Sequence, residues 1–263
     1  MSSNVNSVKN TLKVALGLCV VCSIVISSAA VILKPMQTAN EILDRNKNIL
    51  IAAGLFDPTV HTNADVASLF EEFTPRMVDL DEGRYLTDEE MQTLGLDPQT
   101  YDQQSAKNNP AISEALSGAE DVASIRRRAD YATVYVIQND QGEYQSVVIP
   151  VSGYGLWGIM YGYLALESDG NTILGIGFYD HQETPGLGGE ISNPRWQAQW
   201  PDKQIYNENN EVAFRVVKGG GQNEYQVDAL AGATLTSRGV ENMIEFWLGE
   251  RGFASFLRNE VQS

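Results

Sequence analysis

The chain has 263 residues, 43% of them aliphatic, aromatic or cysteine and 20% charged, a composition that supports a packed core and excludes a disordered tail. Its formal charge is -16, and because the first 34 residues hold Lys9, Lys13 and Lys34 but no acid, residues 35–263 carry 15 basic against 34 acidic groups, a charge of -19. That surface repels phosphate, which excludes nucleic acid as a partner.

Residues 14–33 read VALGLCVVCSIVISSAAVIL, 20 residues without a charge. As a helix rising about 1.5 Å per residue, they match a hydrocarbon layer of about 30 Å. A signal peptide has an apolar run of only about 7–15 residues, so a retained anchor is expected, with residues 1–13 before it. Lysines flank both sides, so the positive charges alone leave the orientation open. Cys19 and Cys22 fall on one face of this helix. A structural zinc site would need two further ligands; the only histidines are His61 and His181, so no metal site is expected and the cysteines read as small packing residues.

Beyond the anchor, residues 37–54 place Ile42, Leu43, Ile49 and Leu50 at near-helical spacing and end on Gly54, a helix stop. Residues 57–130 are rich in Asp, Glu, Gln, Asn and Pro, with helix-like stretches in LTDEEMQTLG and PAISEALSG. Residues 34–130 are therefore expected to form an acidic, largely helical extension. Arg126–Arg128 read as a solvated or ion-paired face. From Tyr131 the pattern changes to strands: YATVYVIQ, a turn at NDQG, YQSVVIPV, then β-rich stretches to Tyr179 and again in VAFRVV and YQVDAL. A last helix places Val240, Met243, Ile244, Trp247 and Leu248 on one stripe. The expected fold class is α+β: one transmembrane helix, then a soluble domain with a twisted, mostly antiparallel sheet packed by helices, its functional part in residues 131–263.

Three glycine-rich clusters carry the chemical signal. Gly153, Gly155 and Gly158 spell GxGxxG, but the aromatic, strand-like IMYGYLAL that follows opens no helix, so a dinucleotide-binding turn is excluded and a bend carrying Trp157 is expected. In HQETPGLGGEI, Gly186, Gly188 and Gly189 allow close backbone approach while Glu183 and Thr184 offer an acceptor and a donor. Composition leaves this as either a ligand loop or a tight connection. The third cluster, VDALAGATLTSRGV, sets small residues around Thr234 before the last helix, with Thr236 or Ser237 as its N-cap. A phosphate at Thr234 would meet the helix N-terminus and Arg238; the bland alternative is a capping turn.

Asp228-Ala-Leu-Ala-Gly-Ala-Thr234 resembles the attachment motif of bacterial FMN-binding domains, in which an acidic residue precedes a Gly-Ala-Thr whose threonine bears the flavin. With HQETPGLG upstream and one anchor, the chain resembles the family of C subunits of the sodium-translocating NADH:quinone reductase. Ala231 departs from the Ser or Thr usual there, while the threonine is intact. The resemblance implies FMN joined through its phosphate to Thr234 by a separate, Mg²⁺-dependent flavin transferase, to which Gly232 and Ala233 leave the hydroxyl accessible. It also implies flavin contacts at Trp157, Glu183, Thr184, Leu187, Gly188 and Lys218, counts Gly232, Ala233, Thr236 and Ser237 among the cofactor-binding residues, and makes Asp228 a recognition or loop-shaping residue. The implied protein is a phosphoester-modified, single-pass flavoprotein of the bacterial inner membrane, with residues 1–13 in the cytoplasm and its soluble domain in the periplasm. It would carry electrons beside other membrane subunits toward ubiquinone, without catalysis of its own. The related flavoprotein of the Rnf electron-transport complex is the alternative; a tethered binding domain without flavin is a third reading.

Overall fold

The computed structural model describes residues 8–139 and 141–262. Its first elements are helix α1 (Val8–Ala52), α2 (Val66–Phe70), strands β1 (Thr74–Asp79) and β2 (Arg84–Tyr85), α3 (Asp88–Leu94), α4 (Gln103–Ala106), β3 (Ser113–Ala115) and β4 (Arg127–Ala129). Strands β5 (Tyr131–Gln138), β6 (Tyr144–Tyr154), β7 (Ile159–Glu167) and β8 (Ile173–Asp180) follow. After a 3-10 turn at Gly188–Ser192 come α5 (Pro194–Gln197), β9 (Arg215–Val217), β10 (Gln226–Asp228), α6 (Thr234–Trp247) and α7 (Ala254–Phe256). The chain forms two compact units, Met1–Asp44 and Arg45–Ser263.

Within the first unit, α1 holds a stretch long and apolar enough to cross a membrane. Cys19 and Cys22 are exposed and free on it. Residues 1–7, part of the segment expected before the anchor, lie outside the described residues, as does Asp140 in the expected NDQG turn.

The second unit is built on one six-stranded antiparallel sheet in the order β2-β1-β5-β6-β7-β8. Period-2 alternation gives it two apolar faces. On one face, Val134, Val136, Val147, Ile149, Val151, Met160 and Leu164 join the core that receives α6. Its stripe of Val240, Met243, Ile244, Trp247 and Leu248 is fully or almost fully buried, as the 3.6-residue period predicts. Burial of this kind is worth about 1.5–3 kcal/mol per large apolar side chain. The helix lies close because a Cβ on Gly153 would come 2.7 Å from that of Met243. On the opposite face, Tyr135, Tyr163 and Tyr179 pack ring to ring, with centroids 6.0 and 5.1 Å apart. That face also carries Gly175 and Gly177, against which the backbone of Asn48 and Ala52 rests.

Two expectations for residues 34–130 are corrected. Strand β1 pairs with β5 along its whole length, Thr74 opposite Val136 through to Asp79 opposite Tyr131, so the sheet runs across the boundary expected at 130. LTDEEMQTLG does form a helix, closed by a Thr87–Glu90 capping box and a left-handed Gly95. PAISEALSG does not: Ser113–Ala115 pairs as β3 with β4. Tertiary bonds override its helix propensity, since the Arg127 guanidinium donates to the Ser113 carbonyl at 2.8 Å and buried Arg128 pairs with Glu114 at 2.9 Å. Arg128 also pairs with Asp81. Thus one member of the basic cluster is an interior ion-pair centre.

Candidate functional site

Strands β6 and β7 are joined by a tight turn in which the Gly155 amide donates to the Gly158 carbonyl at 2.8 Å, leaving Leu156 and Trp157 at its tip. The GxGxxG run is therefore a hairpin, as its flanking strands predict. Strand β8 ends at Asp180 beside this turn, and the loop that follows is wound tightly: the Thr184 carbonyl accepts from the amides of Leu187 at 3.1 Å and Gly189 at 2.9 Å. His181 accepts the Glu183 amide through Nδ1 at 3.3 Å, which leaves Nε2 to donate to Ser192 Oγ at 3.0 Å.

Glu183 lies beneath these loops, 4% exposed. Its Oε1 accepts the backbone amides of Leu156 at 2.9 Å and Trp157 at 3.0 Å, and its Oε2 accepts the Thr236 hydroxyl. Above it, the Trp157 indole donates to Thr184 Oγ1 at 3.1 Å. Gly188 has to be glycine here, because a Cβ would come 2.5 Å from both Glu183 Oε2 and Thr236 Oγ1.

Thr234 is exposed at the first position of α6, a helix of 14 residues that no side chain caps. Ala233 occupies the N-cap position instead of Thr236 or Ser237. The reason is that both hydroxyls are committed elsewhere. Thr236 donates to Glu183, while Ser237 Oγ accepts the Leu230 amide and donates to the Ala233 carbonyl, each at 3.0 Å. The loop before Thr234 turns on Gly232 at φ 76°, where a Cβ would lie 3.2 Å from Leu187 Cδ2. Arg238 is exposed four residues after Thr234 and so shares its side of the helix. Asp228 shapes the neighbouring turn: its Oδ1 accepts the Gly220 amide at 3.0 Å and its carbonyl accepts the Trp196 indole at 2.8 Å.

The structure thus gathers Trp157, Glu183, Thr184, Leu187, Gly188, Gly232, Ala233 and Thr236 around the start of α6. Glu183, Gly188, Thr236 and Ser237, assigned to the cofactor site from the sequence, are buried at the base of this cluster. Lys218 is exposed just past β9 and joins the cluster only through backbone, by the β9–β10 pairing and the Ala229 amide to Val217 carbonyl bond of 2.7 Å. Three residues escaped the sequence reading. Tyr154, Leu156 and Leu235 are exposed apolar side chains beside Trp157 (60% exposed), Leu187 (45%) and Thr234. An uncapped helix start, an accessible hydroxyl and an apolar rim suit a phosphate-bearing planar ligand: the anion meets free amide N–H groups and the ring meets apolar side chains.

The sequence profile of the FMN-binding domain matches residues 155–249, a span that opens at the β6–β7 turn and closes just past α6. The class is therefore that of proteins with an FMN-binding domain, and the matched span contains the cluster just described. Over 98% of its length the chain is 46% identical to the C subunit of the Na(+)-translocating NADH-quinone reductase of Pseudomonas aeruginosa, of which it covers 97%. It is 45% identical to the equivalent protein of Pasteurella multocida, with 98% of this chain and 96% of the relative covered. The crystal structure of Shewanella oneidensis NqrC superposes with a TM-score of 0.74 at 35% identity, covering 84% of this chain and 97% of that one. The chain belongs to this NqrC family of Na(+)-translocating NADH-quinone reductases. That membership favours the quinone-reductase reading over the Rnf alternative.

Proposed function

We propose that this chain is the FMN-carrying electron-transfer subunit of a Na(+)-translocating NADH:quinone oxidoreductase, with the flavin held as a phosphoester on Thr234. The observation that carries the reading is the exposed Thr234 hydroxyl at an uncapped helix start, bordered by Leu187 and Gly232. Bound FMN would supply the one- and two-electron chemistry. The chain's own residues bind and orient it. Amide N–H groups of the first turn of α6 and Arg238 favour the phosphate, while Trp157 and Leu187 present apolar surface to the ring. Lys218 adds a positive charge that favours the more negative, reduced form.

As a family member the chain works beside the other subunits of the complex, and residues 14–33 are its anchor in the inner membrane. The soluble domain is assigned to the periplasm, residues 1–13 to the cytoplasm, and the attachment to a flavin transferase that takes FMN from FAD with Mg²⁺. Co-expression with a transferase followed by mass spectrometry of the Thr234 peptide tests the core of this proposal. A peptide heavier by one phosphoester-linked FMN is expected; an unmodified Thr234, or the adduct on Thr236, would overturn it.

A further inference from the structure

Among the described residues Glu183 is the one acidic side chain in the buried set, and both of its oxygens accept hydrogen bonds from the protein. Three separate stretches of chain meet at this carboxylate. The tip of the β6–β7 turn gives it the Leu156 and Trp157 amides, the loop after β8 supplies the side chain itself, and the first turn of α6 gives it the Thr236 hydroxyl. Two glycines make room for it, since a Cβ on Gly155 would sit 2.5 Å from Oε1 and one on Gly188 2.5 Å from Oε2. The next residue, Thr184, takes the indole N–H of Trp157. Glu183 therefore fixes the backbone of Trp157 while its neighbour fixes the ring.

We propose that Glu183 is a positioning residue whose carboxylate sets the spacing between the Trp157 turn and the start of α6, and thereby the gap that receives the flavin ring tethered to Thr234. The ring position rests on the flavin reading given above; the bracket itself does not. A carboxylate is suited to this task because one oxygen accepts two consecutive amides while the other accepts a hydroxyl, and buried amides deprived of an acceptor are costly. Its length matters as much as its charge. Aspartate is one methylene short and cannot span both partners from the same backbone. Glutamine can: its carbonyl oxygen takes the two amides and its NH₂ donates to Thr236 Oγ1, with the hydroxyl reversed.

The test uses the full chain made with a flavin transferase, as wild type and as Glu183→Gln, Glu183→Asp and Glu183→Ala, with Thr236→Val and Thr236→Ser as milder variants should Glu183→Ala fail to fold. Backbone hydrogen exchange over residues 155–158 is measured with and without Thr234→Ala in the background, so it is read in protein that carries no flavin. Flavin fluorescence, anisotropy and midpoint potential are measured on the flavinylated forms. Glu183→Asp and Glu183→Ala should exchange these amides faster by on the order of tenfold or more, with flavin still attached but brighter and less ordered. Glu183→Gln and Thr236→Ser should stay close to wild type in exchange and fluorescence, and Thr236→Val should fall between. Wild-type exchange and fluorescence in both Asp and Ala variants would overturn the proposal. So would a Gln variant that behaves like Ala, because that would assign the effect to charge instead of spacing. Loss of all attached flavin from the wild type would sink the flavin reading alone and leave the exchange comparison standing.

Discussion

Thr234 and Thr236 stand two residues apart on the first turn of α6 yet face opposite environments: Thr234 is exposed, while Thr236 is 1% exposed and donates its hydroxyl to Glu183. A transferase acting on the folded chain can reach the first and not the second. Thr234→Ala is accordingly expected to abolish covalent flavin, read as loss of in-gel fluorescence, while costing the fold less than about 0.5 kcal/mol because the site is on the surface. Thr236→Val should keep the adduct on Thr234. Fluorescence retained in Thr234→Ala would show that the hydroxyl is not the acceptor.

Gly188→Ala should be among the more damaging single-methyl changes in the domain. Its Cβ would press on Glu183 Oε2 and Thr236 Oγ1 at 2.5 Å, both held by a hydrogen bond that cannot move without opening the bracket. A loss of about 1–3 kcal/mol in urea unfolding is expected. Gly186→Ala, at φ 76° with open space around it, should cost about 1–2 kcal/mol through backbone strain alone and leave the bracket intact. Equal stability of Gly188→Ala and wild type would refute the close packing.

Leu187 is nearly half exposed, so Leu187→Ala should change stability by less than about 1.5 kcal/mol, only part of what a buried leucine contributes. Its effect should appear on the flavin instead: FMN stays attached, and its absorption and emission shift as the ring loses an apolar neighbour. Unaltered flavin spectra would remove Leu187 from the ring site.

Lys218→Met should lower the flavin midpoint potential, since a positive charge favours the reduced anion and its removal disfavours reduction. The shift should shrink as salt is raised, because Lys218 is exposed and its field is screened. Spectroelectrochemical titration at low and high ionic strength measures both. A salt-independent or upward shift would exclude this role.

Alkaline pH should unfold the domain through its tyrosines. Burial raises Tyr135, Tyr163, Tyr179 and Tyr206 above the ordinary tyrosine value, Tyr163 well above it. Below about pH 10 these phenols are neutral in both states and add no pH dependence. Above it the unfolded chain releases protons that the folded chain retains, so stability falls as pH rises. Tyr163→Phe should flatten that fall, as seen in urea melts between pH 9 and 11 (about one unit either side of the free phenol value).

Much of this architecture was legible because it is periodic or local. The α6 stripe follows the 3.6-residue period, β5 to β8 are rich in β-branched and aromatic residues, and the Thr87 capping box is a four-residue signal. What escaped is non-local. Strand β1 is short, begins Thr-Pro-Arg and is a strand because β5 lies beside it, a pairing across more than fifty residues that no window along the chain contains. Ser-Glu-Ala in β3 has helical propensity and yields to Arg127 and Arg128. At the site, residue types announced the loops and Thr234, but composition could not say which polar groups face inward. The resemblance implied a flavin contact at Glu183, while composition left its glycine-rich loop as either a ligand loop or a tight connection. Its three hydrogen-bond partners, from two distant segments, are invisible to any window along the chain.

The glycines of β8 have a practical consequence for anyone preparing a water-soluble form. Because Gly175 and Gly177 admit the backbone of Asn48 and Ala52, and Ile49, Leu50 and Ala52 are wholly buried, the last two turns of α1 are interior scaffold. A chain shortened to begin at the helix stop, Gly54, would strip one face of the sheet and expose its tyrosines. One that begins a few residues ahead of Arg45 sheds the apolar stretch yet keeps that cover, and is the cut that should stay in solution after purification.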